Sequence, residues 1–143
     1  MLLPILHYQS CMAVRTVMLI IAMEEEAMPI VRHHNLKRVD AWSVDGAPMI
    51  AWIGDVDSVN LTLIWCGFDE RFGVNNVATT AAAVSTYAAV AAFGKPDLIL
   101  SVGTAGGFGC RGASIGDVFL STKYDFCDRV PTARRLSVAS IYS

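Results

Sequence analysis

Two short segments of this sequence have residue types that could do chemistry. The first is the acidic triplet Glu24-Glu25-Glu26, and the second is the glycine-rich run GTAGGFG at residues 103–109. A partly desolvated carboxylate can position or deprotonate a water molecule. Glycines let a ligand approach main-chain N–H and C=O groups closely, and the Thr104 hydroxyl both donates and accepts hydrogen bonds. These groups would suit water activation beside a bound small molecule.

Each segment also has a plain structural interpretation. Three carboxylates at a helix N-terminus are stabilised by the helix dipole, so capping alone explains the triplet. The glycine-rich run is neither GxGxxG nor a Walker A sequence, which would need a Lys-Ser/Thr end. A tight turn required only by the chain topology explains it equally well. On residue types alone, both interpretations of each segment stay open.

Both segments follow predicted buried strands. Residues 16–22 (TVMLIIA) and 97–102 (DLILSV) are continuous apolar runs, which are typical of strands covered on both faces. Ligands in open α/β sheets bind beyond the carboxyl ends of the strands, so the positions of the two segments support each other. The sequence after the triplet predicts a helix, with Pro29 expected in its first turn, where the missing N–H costs little.

Three short strands are predicted before the second helix, and the polar turns between them favour an antiparallel meander. These strands cover residues 39–44, 49–53 and 60–65, with turns at Asp45-Gly46 and at residues 55–58.

An alanine-rich helix is predicted over residues 75–93, ending at Gly94 and Pro96. Its small side chains indicate close packing against a sheet, and it is too short and too poor in Leu and Ile to span a membrane comfortably. We therefore expect a buried helix of a soluble domain. Residues 67–73 are expected to form a loop and residues 115–121 a last strand. The order β-α-β-β-β-α-β-β predicts one layered, mixed α/β domain.

Composition narrows the range of partners. The 143 residues suffice for one domain with a real core, and the net charge of −2 offers no basic field for nucleic acid. A small, neutral or weakly charged ligand is the expected partner. The four cysteines, at positions 11, 66, 110 and 127, form no CxxC pair and are expected to be reduced thiols without a metal. Residues 1–15 lack a basic n-region, so we expect no secretory signal and a cytoplasmic location.

Two stretches of the sequence resemble the 5′-methylthioadenosine/S-adenosylhomocysteine nucleosidases. VMLIIAMEEEAMPIV is similar to the opening of that family, whose first strand ends in Ala-Met-x-x-Glu. KPDLILSVGTAGGFGCRGASIGDVFLS, residues 95–121, resembles its Lys-Pro-Asp, Gly-(Ser/Thr)-x-Gly-Gly and (Ile/Val)-Gly-Asp run, most closely in the plant-type branch. The resemblance covers residues 16–129, which predicts an N-terminal extension at 1–15 and a divergent tail at 130–143.

This resemblance implies a three-layer αβα fold with a mixed central sheet, the nucleoside phosphorylase-like fold, usually in a homodimer. It implies hydrolysis of the N-glycosidic bond of 5′-thioadenosine nucleosides with release of adenine, as in methionine salvage, without a metal or organic cofactor and without nucleic-acid or membrane partners. By position, Glu26 matches the carboxylate that holds and activates the attacking water. Met23 matches the methionine beside the ribose, and Thr104, Ala105 and Gly106 match the loop that lines the nucleoside pocket.

Two alternatives accompany this hypothesis. Purine and uridine phosphorylases share the Gly-Ser/Thr-x-Gly loop, but they need a cationic phosphate cradle after the first strand. Three glutamates there would repel a phosphate dianion, which favours hydrolysis. The family's Met-Glu segment and its Ser-Asp pair, whose Asp protonates the purine, are not found in these 143 residues. A C-terminally truncated and impaired enzyme is therefore expected, or a non-catalytic isoform that associates with a full-length partner.

Overall fold

The computed structural model describes residues 13–40, 42 and 46–121. Most of the predicted N-terminal extension, the whole predicted tail and part of the Asp45-Gly46 turn lie outside the described residues, so the domain boundaries stay a prediction. The chain divides into two compact units, the first ending at Ala105 and the second beginning at Gly106.

The first unit is built on a five-stranded mixed sheet, whose spatial order is Lys37–Val39 (β2), Ile50–Val56 (β3), Val59–Trp65 (β4), Thr16–Ile21 (β1) and Leu98–Val102 (β7). The inner strand β1, Thr16–Ile21, lies parallel to β4, Val59–Trp65, on one side and to β7, Leu98–Val102, on the other. The strand β3, Ile50–Val56, pairs antiparallel with β4, and β2, Lys37–Val39, pairs antiparallel with β3. The sheet is therefore mixed, as predicted.

The two helices cover opposite faces of this sheet. The helix α1, Glu24–His33, packs in the cluster that contains Leu19 of β1. The helix α2, Ala78–Phe93, contributes Ala89 to the other cluster, which contains Ile20. Successive side chains of a strand point to opposite faces, so the apolar run of β1 supplies both layers of core. The predicted three-layer αβα arrangement is confirmed.

The predicted antiparallel meander is also confirmed, with shifted boundaries. β3 runs to Val56, and the turn to β4 is reduced to Asp57 and Ser58, whose φ angles are 46° and 72°. Two central residues with positive φ match the right-handed twist of a hairpin. β2 begins at Lys37 and ends at Val39, so it starts earlier than the predicted strand at residues 39–44.

Two boundaries near the acidic triplet and the second helix were wrong. α1 begins at Glu24, so the triplet forms its first turn and Pro29 lies in the helix interior, where its ring removes one main-chain hydrogen bond. Residues 67–73 are not simply a loop, because Phe68–Asp69 (β5) pairs antiparallel with Val74–Asn75 (β6). This small hairpin delays the start of α2 to Ala78.

The prediction that α2 is a buried helix was also wrong. Only Ser85 and Ala89 are fully buried, and Tyr87 is 80% exposed. The helix has a sheet on one side only, so its outer face stays accessible. Within the described ranges, no helix combines the length and the apolar character needed to cross a bilayer.

No strand forms over the described residues 115–121, contrary to prediction. The described part of the second unit, residues 106–121, contains one 3₁₀ turn, Gly109–Arg111, and irregular chain after it. Ile115 and Val118 are almost fully exposed. A strand needs a hydrogen-bonded neighbour, and the described part of the second unit contains no other strand with which this segment could pair. The apolar, β-branched composition of residues 115–121 was therefore insufficient to predict a strand there.

A carboxylate ties the starts of β1 and β7 together. Asp97 Oδ2 accepts hydrogen bonds from the main-chain N–H groups of Arg15 and Thr16 and from the Thr16 hydroxyl, each at 2.9 Å. The Asp97 N–H in turn donates to the Thr16 hydroxyl oxygen at 2.9 Å. These donors, led by the Arg15 N–H, lower the pKa of Asp97 because they stabilise its charged form.

We expect Asp97→Asn to lower the urea midpoint of unfolding at neutral pH and to have little effect at strongly acidic pH. The pKa of Asp97 is lower in the folded state than its unfolded value of about 3.9. Its stabilising contribution is therefore present above that value and is lost as the pH falls through the folded pKa. Asp40→Asn is the control, since Asp40 makes an exposed ion pair with Arg38, a kind of contact that contributes little to stability. An equal loss for Asp97→Asn at all pH values would contradict the argument.

Candidate active site

Glu26 and Thr104 meet within the first unit. Glu26 Oε1 accepts hydrogen bonds from the Thr104 main-chain N–H and from the Thr104 hydroxyl, both at 2.7 Å, across 78 positions of sequence. Their meeting follows from topology, because β1 and β7 are parallel neighbours and their carboxyl ends lie at one edge of the sheet. One residue of the acidic triplet thus contacts the first part of the glycine-rich loop.

A cavity of about 330 Å³ lies at this edge, within the first unit. Its volume is within the range of small-molecule sites, which begins at roughly 300 Å³. Apolar side chains from β1 and α2 share the lining with a smaller number of polar groups. The polar part of the lining includes Glu26, Cys66, Ser101 and Thr104.

The carboxylate of Glu26 is held in one orientation. Glu26 is half-buried, and both hydrogen bonds from Thr104 converge on Oε1. Among the described residues, none is recorded as a hydrogen-bond donor to Oε2. A carboxylate fixed through one oxygen keeps acceptor capacity on the other. Glu26 can therefore bind and polarise a water molecule in the cavity.

Met23 has a main-chain role in addition to lining the cavity. It is the N-cap residue of α1, with extended backbone, and its carbonyl accepts the N–H groups of Glu26 at 3.2 Å and Ala27 at 3.1 Å. These bonds form the turn that brings Glu26 over the end of β1. The position of Met23 therefore determines where the carboxylate projects.

The predicted site residues fall into two groups. Met23, Glu26 and Thr104 line the same cavity. Ala105 is the last residue of the first unit and is not part of the lining, whereas Gly106 begins the second unit. The structure thus brings three of the five residues together, and the functional role of each of the five stays a prediction.

Sequence reasoning missed Cys66, a residue of the cavity lining that directly follows β4. The Cys66 side chain is buried, and burial raises the pKa of its thiol more than a hydrogen bond from Ser85 lowers it. A neutral thiol is a poor nucleophile, so Cys66 contributes shape and polarity to the cavity. Its position at the carboxyl end of a buried strand was the available signal.

Asn75 was also missed, because the second helix was predicted to begin there. Its Oδ1 accepts the Glu24 main-chain N–H and the Trp65 indole N–H, both at 3.0 Å. Its Nδ2 donates to Glu25 Oε2 at 3.2 Å. Asn75 therefore joins the end of β4 to the first turn of α1, a contact between distant segments that local sequence patterns do not contain.

The fold agrees with what comparison with known proteins shows. The profile of the phosphorylase superfamily matches residues 16–138. The chain belongs to the phosphorylase superfamily. Within the described ranges, no group of three or more His, Cys, Asp or Glu side chains in this superfamily member could hold a metal ion.

Two curated relatives of this phosphorylase-superfamily chain come from Arabidopsis thaliana. A 5′-methylthioadenosine nucleosidase is 36% identical over 117 residues, which are 81% of this chain and 43% of the relative. A 5′-methylthioadenosine/S-adenosylhomocysteine nucleosidase is 35% identical over 119 residues, which are 81% of this chain and 46% of the relative. The chain thus spans less than half the length of these relatives, and the family resemblance seen in its motifs is confirmed.

Solved structures support the same fold for this superfamily member. The apo form of the Arabidopsis thaliana 5′-methylthioadenosine nucleosidase superposes with a TM-score of 0.66 at 34% identity, covering 73% of this chain and 43% of that one. A crystal structure of an MTA/SAH nucleosidase also gives a TM-score of 0.66, at 35% identity and with the same coverage. The nucleoside phosphorylase-like fold is confirmed.

We expect Gly103→Ala to destabilise the chain by about 1 kcal/mol, as crowding of a packed contact does. An added Cβ would lie 3.3 Å from Glu26 Oε1 and 3.4 Å from Oε2. The carboxylate would have to move, although Thr104 holds it. Urea denaturation measures the loss.

Gly109→Ala is the matched control, because nothing lies within 4 Å of its added Cβ. Alanine restricts the unfolded chain, so this variant should be neutral or slightly stabilising. Equal midpoints for the two variants would show that the Gly103 position is not crowded by Glu26.

Proposed function

We propose that this chain supplies the water-activating side of a nucleosidase site. The reaction is hydrolysis of the N-glycosidic bond of 5′-methylthioadenosine or S-adenosylhomocysteine, which releases adenine. The observation that carries the proposal is the carboxylate of Glu26, anchored by Thr104 at the wall of a cavity of about 330 Å³. The printed names of the two Arabidopsis thaliana relatives give the substrate class.

The proposed step adds the oxygen of water to C1′ of the ribose while the C1′–N9 bond breaks. The electron pair of that bond leaves with adenine, which takes up a proton from solvent, and the proton that Glu26 accepts from the water returns to solvent. Glu26 orients the water and accepts its proton, a role worth roughly 10²- to 10⁴-fold in rate. Its negative charge also stabilises the positive charge that develops on the ribose.

The charge of the cavity supports hydrolysis over phosphorolysis. Glu26 lines the cavity, and Glu24 and Glu25 precede it in the same helical turn. A phosphate dianion placed there would face like charge at short range. Water carries no charge and is oriented by the same carboxylate. A phosphorylase reaction is therefore the less favoured alternative.

From the family resemblance we also propose a role in methionine salvage and nucleoside catabolism, a cytoplasmic location and a homodimeric assembly. Association of the chain with a longer relative, without catalysis of its own, is the competing function. The two functions differ in whether adenine forms.

We expect Glu26→Gln to lower adenine release from 5′-methylthioadenosine by at least about 100-fold, because an amide cannot accept the proton of water. The measurement is adenine formation by the purified 143-residue chain at high protein concentration, with and without inorganic phosphate. Release that is independent of phosphate indicates hydrolysis.

Glu24→Gln is the matched control in the same triplet, since the Glu24 carboxylate is not part of the cavity lining. It should retain the rate of the unmodified chain. Equal rates for the unmodified chain and Glu26→Gln, or no adenine from either, would reject the proposal for this chain. A requirement for phosphate would instead identify a phosphorylase.

A further inference from the structure

The first turn of α1 lacks a side-chain cap from its own segment. Its N-cap residue is Met23, which makes no side-chain capping hydrogen bond. The first N–H groups of a helix have no partner within the helix, so they need one from elsewhere. Asn75 supplies it for Glu24, across 51 positions of sequence. Asn75 therefore acts as a remote N-cap.

The contact does more than satisfy one N–H. Asn75 Oδ1 also accepts the indole N–H of Trp65, a buried residue at the end of β4. Trp65 is in register with Ile21, the last residue of β1. Asn75 thus connects the helix start to the same end of the sheet from which the helix emerges.

Two anchors hold this first turn. Asn75 binds the main chain of Glu24 and the side chain of Glu25, while Thr104 binds the side chain of Glu26. All three glutamates belong to one turn of α1. A rotation of that turn about the helix axis would swing the Glu26 carboxylate, and the Asn75 anchor opposes such a rotation.

We propose that Asn75 is a positioning residue for Glu26. Its amide fixes the first turn of α1 so that the Glu26 carboxylate meets Thr104 and faces the cavity. The catalytic meaning of this placement rests on the proposed function, whereas the mechanical link between Asn75 and the Glu26–Thr104 contact does not.

The test is amide hydrogen exchange of the full chain, followed by NMR at Glu24, Thr104 and, as an internal reference, Leu19 of β1. Asn75→Ala should accelerate exchange at Glu24 and at Thr104 by about fivefold, a factor typical of losing an N-cap. Exchange at Leu19 should not change. The Thr104 amide proton should also shift upfield as its bond to the carboxylate lengthens.

Two variants control the comparison. Asn76→Ala removes a side-chain bond to the Cys66 carbonyl in the same segment and should leave Glu24 and Thr104 unchanged. Asn75→Asp keeps an acceptor for Glu24 and Trp65 and should restore near-normal exchange at Thr104, since the exposed Glu25 side chain can turn to solvent. If Asn75→Ala does not fold, Asn75→Ser is used instead, because its shorter polar side chain reaches the partners of Asn75 less well. The expected pattern of exchange is the same.

Three results would overturn the inference. Faster exchange at Glu24 alone would make Asn75 a cap without influence on Glu26. Equal acceleration at Leu19 would make it a general stabiliser of the fold. An unchanged Thr104 amide in both Asn75→Ala and Asn75→Ser would remove the link altogether.

These exchange measurements do not require turnover, so they separate the two proposals. Altered Thr104 exchange without any adenine release would uphold the positioning link and reject the hydrolase. Where adenine release is measurable, Asn75→Ala should lower kcat about tenfold with KM unchanged, because a small displacement of a reacting group reduces rate more than binding.

Discussion

The carboxylate of Glu26 depends on a contact between residues 78 positions apart. Its Oε1 accepts hydrogen bonds from both the N–H and the hydroxyl of one residue, Thr104. This pair of hydrogen bonds restrains both the position and the orientation of the carboxylate. A free glutamate side chain samples many rotamers, and burial of its charge is unfavourable without partners. Thr104 compensates for both effects. The cavity acquires a carboxylate of defined direction for this reason.

That contact is possible only because β1 and β7 are parallel and adjacent. Residues Val17–Ile21 pair in register with Leu98–Val102. The segments that follow the two strands therefore leave the sheet side by side. At the opposite end of the same strands, Asp97 binds the main chain at Arg15 and Thr16. The register that brings Glu26 to Thr104 is thus secured at both ends, by a carboxylate in each case.

Membership of the phosphorylase superfamily establishes the scaffold of this chain but not its reaction. Within a fold, the reaction is determined by the groups at the site. Here the groups after the first strand are carboxylates, and a neutral thiol, Cys66, lies on the same cavity wall. Such a lining suits an uncharged nucleoside and a water molecule better than a phosphate dianion.

The sequence by itself determined which segments are strands of the core and where chemistry could occur. The apolar runs of β1 and β7, the alanines of α2, and the glutamates and glycines that follow the strands are local signals with a known period or a specific backbone demand. Local signals were insufficient at residues 115–121, where strand-like composition met no pairing strand in the described part of the chain, and at Asn75, which belongs to a hairpin instead of a helix. Residue types alone did not distinguish Glu26 from its two neighbours, and only the family resemblance pointed to it. The tertiary structure gives the physical reason, because which carboxylate faces the loop depends on how α1 leaves the sheet. It also brought Asn75 and Thr104 to the same helical turn, since contacts between distant segments arise from strand order and register, which short sequence windows do not encode.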